Sequence, residues 1–323
     1  MILAGDIGGT KTILALYQNQ QGKLNCMKEQ SFASTEFSQF NDVLTEFLDD
    51  NLQITSACFG IAGPIIKQCC QTTNLPWSIN AQELMATLGT DKVKLLNDLE
   101  AMALGMLHNA EEDFLELNPN ATTQNGNIAV LAAGTGLGQA ILYWDGQQYH
   151  PIATEGGHCD FAAQTPQQDQ LLRYLRQLFP EHVSWERVLS GDGFGHLYDF
   201  LIQTGYAPPC DLVPAAKQGT TDRNAIISQL GLKQADLVCT EVVRLFVELY
   251  AAEAGNLALK CLASGGLFIG GGIAPKIRSA MENGHFLQHF LSKGRFNSHL
   301  SKLSIKISLN SNTALVGAAN YFT

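Results

Sequence analysis

Apolar and polar positions along the chain switch between two periods. Residues 2–6 and 12–17 are apolar runs of strand length, and the glycine turn between them predicts a β-hairpin. A third apolar run follows at 31–33. Apolar residues at 40, 43, 44, 47 and 48 then recur with the helical period. Residues 57–62 read as a buried strand stopped by Gly63-Pro64, 81–88 as a helix, 93–96 as a buried strand and 99–107 as a helix. This alternation of strands and helices predicts a mostly parallel sheet.

The next segment repeats the first. A shift of 128 positions lays Ile2 on Val130, Ala4 on Ala132, Gly8 on Gly136, Ile13 on Ile141 and Leu14 on Leu142. Residues 128–133 and 140–144 are therefore expected to form a second hairpin, and the duplication implies two similar lobes. Further along, the pattern predicts a helix over 167–179, a proline-rich loop over 207–214 and helical structure from 235 to 262. A short strand, 267–269, lies between two glycine clusters. A strand over 303–309 precedes a final helix through 321, which Thr313 is expected to cap. No low-complexity linker separates the lobes, so their boundary is expected at a hinge near residue 108.

Composition narrows the class. A length of 323 residues favours two domains. The formal net charge is −10, without a basic cluster, which argues against nucleic acid or an anionic membrane surface as a partner. With 46% hydrophobic and 15% charged residues the chain can bury a large core. The uncharged stretch 125–144 is broken by glycines and makes a poor membrane span. The first residues lack the basic region of a secretory signal. Eight scattered cysteines without a CxxC suit reduced thiols in a cytoplasmic protein.

The glycines carry the candidate chemistry. In Asp6-Ile7-Gly8-Gly9-Thr10, followed by Lys11, the absence of side chains lets backbone N–H groups approach an anion, and Asp6 can hold hydrated Mg²⁺ beside it. An ordinary hairpin turn would look similar. Gly134, Thr135, Gly136 and Gly138 make a second phosphate-type turn, which is neither a Walker A loop nor a dinucleotide fingerprint because a strand follows it. Gly270, Gly271 and Gly272 follow a short strand and could border a base or ribose, or serve helix–strand packing alone.

Polar residues between these turns supply a second set. Asn97-Asp98 follows a buried strand, placing a carboxylate at a sheet's carboxyl end; Asn97 with Glu100 also reads as a capping box. Glu155-Gly156-Gly157-His158 suits a loop offering a carboxylate and an imidazole, since two successive glycines cost a helix roughly 2 kcal/mol. Glu186 stands at a helix start, where it could simply compensate the dipole, and Asn74 is a loop amide that could form an Asx-turn.

In this order the motifs, with LAAGTGLG, EGGHCDFA, ERVLSG and GGLFIGGGIAPK, resemble the bacterial glucokinase family of the actin-like (hexokinase) ATPase superfamily over essentially the whole chain. The resemblance implies an α/β fold of two actin-like, ribonuclease H-like lobes, each a mixed sheet with flanking helices, and an active site in the cleft between them. It places 1–108 and 310–323 in a small lobe and 109–309 in a large one. It implies transfer of the γ-phosphate of ATP to the 6-hydroxyl of glucose, with Asp98 as general base. Asn97, Glu155, His158, Glu186 and Asn74 would bind the sugar. Gly8, Gly9, Thr10, Lys11 and the 134–138 turn would hold phosphates, Asp6 would bind Mg²⁺ through water, and Gly270–Gly272 would border the adenosine. A homodimer is implied as well. Residues 204–236 match no motif of the family.

The related repressor/kinase (ROK) branch carries a cysteine-rich zinc motif after its glycine–histidine site. Here Cys159 alone follows His158, and the next cysteine is Cys210, so structural zinc is not expected and the chain falls outside that branch. The alternatives are a kinase for another hexose, such as mannose or an N-acetylated amino sugar, and a non-catalytic sugar-binding protein. A DNA-binding regulator has neither room nor charge in this chain, and a chaperone- or filament-type ATPase would lack the sugar loops.

Overall fold

The computed structural model describes residues 1–49, 52–72, 75–122, 124–215 and 222–323. The chain forms two compact units: residues 1–114, 151–153 and 310–323, and residues 115–150 and 154–309.

In the first unit, β1 (Ile2–Ile7), β2 (Lys11–Gln20) and β3 (Lys23–Ala33) form an antiparallel meander. α1 (Phe40–Phe47) leads to β4 (Ser56–Ile61), which pairs parallel to β1. A short ribbon, β5 (Cys69–Gln71) with β6 (Ser78–Asn80), and α2 (Ala81–Leu88) precede β7 (Val93–Asn97), parallel to β4, and α3 (Asp98–Met106). The sheet order is β3-β2-β1-β4-β7. β2 and β3 extend well beyond the apolar runs at 12–17 and 31–33. In β2 the buried residues are 12–16 and in β3 only Phe32, so the end of the hairpin joined by the β2–β3 turn lies off the core and carries mostly polar residues.

The second unit repeats this order. β8 (Phe114–Glu116) forms its far edge; β9 (Ile128–Ala133), β10 (Leu137–Trp144) and β11 (Tyr149–Thr154) make the second meander. A helical insertion follows: α4 (Pro166–Leu178), α5 (Gly191–Gln203), α6 (Arg223–Leu232) and the buried α7 (Leu237–Lys260). β12 (Gly266–Gly270) returns parallel to β9. Then come α8 (Arg278–Met281), α9 (His285–Phe290), α10 (Asn297–Leu300) and β13 (Ile305–Ser308), parallel to β12. The order β11-β10-β9-β12-β13 matches that of the first sheet.

The repeat is real, but its offset is not 128. In the hairpins Ile7 pairs with Thr12, whereas Ala133 pairs with Leu137, so the second turn is one residue shorter. Strand equivalence therefore runs at 126 for the first strand (Ile2 to Ile128) and 125 for the second (Thr12 to Leu137). Gly8 corresponds to Gly134, and Gly138 lies inside β10 opposite Ala132.

The closing helix α11 (Thr313–Asn320) belongs to the first unit, where Ala314, Leu315, Ala318 and Ala319 join Ala4, Cys58, Leu96 and Ala101 in one buried cluster. Asn312, not Thr313, occupies the cap position. Thr313 is the first helical residue, and its hydroxyl donates to the Asn310 carbonyl at 2.8 Å. No described helix is long and apolar enough to cross a membrane.

Candidate active site

In the first unit the turn after β1 is fastened from behind. Gly8 N donates to the Lys11 carbonyl (3.0 Å), and the Ser34 hydroxyl donates to the Gly8 carbonyl (2.8 Å). Thr12 Oγ1 and Ser34 Oγ lie 2.9 Å apart, both residues fully buried, while Thr10 and Lys11 stand exposed at the tip. Sequence reading missed Thr12 and Ser34, because their role depends on β3 returning beside the turn.

Asp6 is half-buried, and burial pushes its carboxyl above the ordinary range, with Lys11 opposing. A hard cation with its waters fits such an oxygen donor, since it restores the charge compensation that burial removes. Asp6 pairs with Gly60 of β4, which pairs with Leu96 of β7, so Asp6 and Asn97-Asp98 lie along the same carboxyl edge of one sheet.

Asn97 and Asp98 satisfy both readings of their sequence. Asn97 caps α3: its Oδ1 accepts from Leu99 N (2.9 Å), and its own N–H donates to Glu100 Oε2 (3.0 Å), completing a capping box. Its amide also donates to the Gly63 carbonyl (3.2 Å). The Asp98 carboxylate is thus carried on the first helical residue beyond β7, half-buried, with Oδ1 accepting from Leu99 N at 2.9 Å. Burial pushes the nearby Cys70 thiol up, and the Asp98 charge adds to the shift. Glycine is required at position 60, where a Cβ would lie 2.8 Å from Ala101 Cβ and push α3 away. Asn74 lies outside the described residues.

The second unit gathers three motifs around the start of β10. Gly134 N donates to the Gly136 carbonyl, and Gly191 N, at the start of α5, donates to the Gly134 carbonyl, each at 2.8 Å. Glu186, on a 3₁₀ turn rather than a helix start, accepts from Leu137 N through Oε2 at 2.9 Å. A Cβ at Gly136 would come 2.5 Å from that oxygen. The Glu155–His158 loop closes as one 3₁₀ turn, with His158 N donating to the Glu155 carbonyl (3.0 Å) and both side chains exposed. Its two glycines are packing requirements: a Cβ would reach 2.2 Å from Gln139 Oε1 at Gly156 and 1.9 Å from the Leu137 carbonyl at Gly157. Trp185 N donates to the Cys159 carbonyl (3.0 Å), tying this loop to the turn that carries Glu186.

Gly271 has φ +79°, and a Cβ there would meet the Ala133 carbonyl at 2.3 Å, so β12 can end beside β9 only with glycine. Gly134, Thr135 and Gly272 line a cavity of about 520 Å³, together with Asp192, Asn224 and Lys276. That volume is in the range of small-molecule sites. Asn224, with Asp222, Ala225 and Ser228, brings part of the motif-free segment 204–236 to this cavity. Folding alone makes them neighbours of the glycine turn. Gly270, which ends β12, pairs with Ala132.

A duplicated sheet of this order, with glycine turns after the first strand of each copy, is that of the actin-like ATPase fold. A sequence model of the glucokinase family matches residues 3–323, and the chain belongs to that family. It is 38% identical to a glucokinase of Synechocystis sp., covering 98% of this chain and 96% of the relative. A glucokinase of Photorhabdus laumondii is 32% identical over 99% and 96% of the two chains. Among solved structures, the glucokinase of an Antarctic psychrotroph superposes with a TM-score of 0.87 at 30% identity, covering 98% of this chain and 97% of the other.

Proposed function

We propose that Asp98 is the general base through which this chain phosphorylates glucose, accepting the proton of the 6-hydroxyl as that oxygen attacks the γ-phosphorus of ATP. An ATP-dependent hexose kinase activity follows from family membership; the assignment of roles rests on the site. One observation carries it: the capping box at Asn97 fixes a half-buried carboxylate just beyond the carboxyl end of β7. A positioned carboxylate suffices as base, because phosphoryl transfer draws mainly on positioning and charge stabilisation.

Asn97, Glu155, His158, Glu186 and Asn74 would bind the remaining sugar hydroxyls. Several directed polar groups discriminate among hexoses, since a misplaced hydroxyl leaves them unpaired. Gly8, Gly9, Thr10, Lys11 and the backbone from Gly134 through Thr135 and Gly136 to Gly138 would receive the phosphates. The adenosine would occupy the cavity of about 520 Å³ beside Gly270, Gly271 and Gly272, with Lys276 as a nearby cation. Asp6 would hold hydrated Mg²⁺, which when bound neutralises phosphate charge. A cytoplasmic homodimer without ROK-type zinc completes this reading; light scattering tests its assembly.

The test is a coupled ADP-release assay across a hexose panel, with glucose binding followed by calorimetry. Glucose is expected to be preferred, and Asp98→Asn to lower turnover by about 10²–10⁴-fold while glucose binding persists. Equal turnover in the two proteins overturns the role of Asp98. Preference for mannose or an N-acetylated amino sugar overturns the substrate.

A further inference from the structure

A side-chain cluster between α7 and α9 shares no residue with the glycine-turn cavity or with the residues assigned to sugar, phosphate and Mg²⁺. His285 and His289 stand one turn apart on α9, their ring centroids 4.5 Å apart and steeply inclined, and both face Glu248 of α7. One ligand atom from each of Glu248, His285 and His289 lies within 4.8 Å of the other two. His289 Nε2 is 3.7 Å from Glu248 Oε2. His285 Nε2 is buried and has no hydrogen-bond partner. An orphaned buried ring nitrogen requires an explanation, because burying an unpaired polar atom costs about 1–3 kcal/mol.

We propose that Glu248, His285 and His289 form a binding site for a divalent transition metal of the zinc type. Two imidazoles and one carboxylate are a donor set that Zn²⁺, Co²⁺ and Ni²⁺ accept, and histidines at i and i+4 reach one ion from a single helix. Tetrahedral bonds of about 2.0–2.2 Å put ligand atoms roughly 3.3 Å apart, so binding draws the three ligand atoms together by up to about 1.5 Å.

An ion pair between Glu248 and a protonated His289 would use the same two residues, but it leaves His285 Nε2 unpaired. A bound ion pairs it. Glu248 is itself held, with Gln168 Nε2 donating to Oε1 and Arg244 Nη1 to Oε2, both at 2.6 Å. Arg244 is the competing cation. It also makes two hydrogen bonds to Glu241, at 2.8 and 2.7 Å, so it keeps a partner when Oε2 turns to a metal. His285 also lines a cavity of about 820 Å³ with Tyr206, Glu241, Arg244 and Asn283. No cysteine contributes, so the site is independent of the ROK zinc motif that the sequence lacks. Its spacing, 248 to 285 and 289, forms no recognisable sequence signature.

The full-length protein, stripped with a chelator and dialysed, is titrated with Zn²⁺ by calorimetry and with Co²⁺ by visible absorption. Wild type is compared with His285→Ala, His289→Ala and Cys210→Ser. Cys210 is the control because it lies with Asp236 and Cys239 in a separate donor cluster. One equivalent is expected to bind in wild type and in Cys210→Ser, with affinity at least about 100-fold weaker in either histidine variant. Metal-free melting curves establish that the histidine variants are folded. Absence of stoichiometric binding to wild type, equal affinity in the histidine variants, or loss of binding only in Cys210→Ser overturns the proposal.

Discussion

Glu186 Oε2 accepts the backbone N–H of Leu137 at 2.9 Å, so the carboxylate expected to meet a sugar also holds the glycine turn expected to meet phosphate. The same oxygen leaves no room for a side chain at Gly136. The two motifs are therefore one structural unit, and changes in either should be felt by both substrates.

The Glu186→Ala variant leaves Leu137 N without its acceptor. An unmade bond of this kind costs about 1–3 kcal/mol, which corresponds to a loss of roughly 5- to 150-fold in kcat/KM. The expected signature is a rise in KM for both ATP and glucose, measured with each substrate varied in turn. Glu186→Gln keeps a neutral acceptor and should retain more of the ATP affinity than the alanine variant. A change confined to glucose would mean that the bond to Leu137 contributes nothing to the turn.

Gly271→Ala tests the end of β12. Left-handed backbone costs an alanine about 1–2 kcal/mol, and the new Cβ would lie 2.3 Å from the Ala133 carbonyl. About a tenfold rise in KM for ATP is expected, with KM for glucose unchanged.

Asp6 should show opposite effects on stability and activity. Its carboxyl is pushed above the ordinary range by burial, so the folded state binds the proton more tightly than the unfolded chain does. Stability from this group is complete below the unfolded pKa and falls as pH rises through the folded value. Asp6→Asn, neutral throughout, should therefore melt higher than wild type at pH 7, and the gap should close in acid. The same substitution should sharply reduce turnover in saturating Mg²⁺. Identical melting temperatures at pH 7 would show that burial of the charge is fully compensated.

Gly317→Ala probes how α11 is held. A Cβ there would lie 1.8 Å from the Ala101 carbonyl and 2.6 Å from Gly105 N, where α3 and α11 touch backbone to backbone. Overpacking of this kind is expected to destabilise the first unit by about 1–3 kcal/mol, read as a lower denaturant midpoint.

By itself the sequence determined the main strands and helices of the first unit, their alternation, the duplication and the family, whereas β8, β11, α5 and α6 were not read from it. Hydrophobic period and glycine punctuation are local properties, so the first hairpin, α2 (Ala81–Leu88) and β9 (Ile128–Ala133) could be read from residues a few positions apart. The capping box at Asn97 was equally legible, because cap and partner are three residues apart. What the local signal could not fix was register: the first strands of the two copies are equivalent at an offset of 126 rather than 128, the one-residue-shorter turn makes it 125 for the second strands, and Gly138 falls inside a strand. Tertiary structure alone decided the long-range contacts. The Ser34 hydroxyl behind Gly8, Glu186 under Gly136, Asn224 beside Gly272 and the meeting of Glu248 with His285 and His289 join residues tens of positions apart. Polar side chains at such separations leave no periodic trace, because their partners are chosen by the packing of the sheets and helices that carry them.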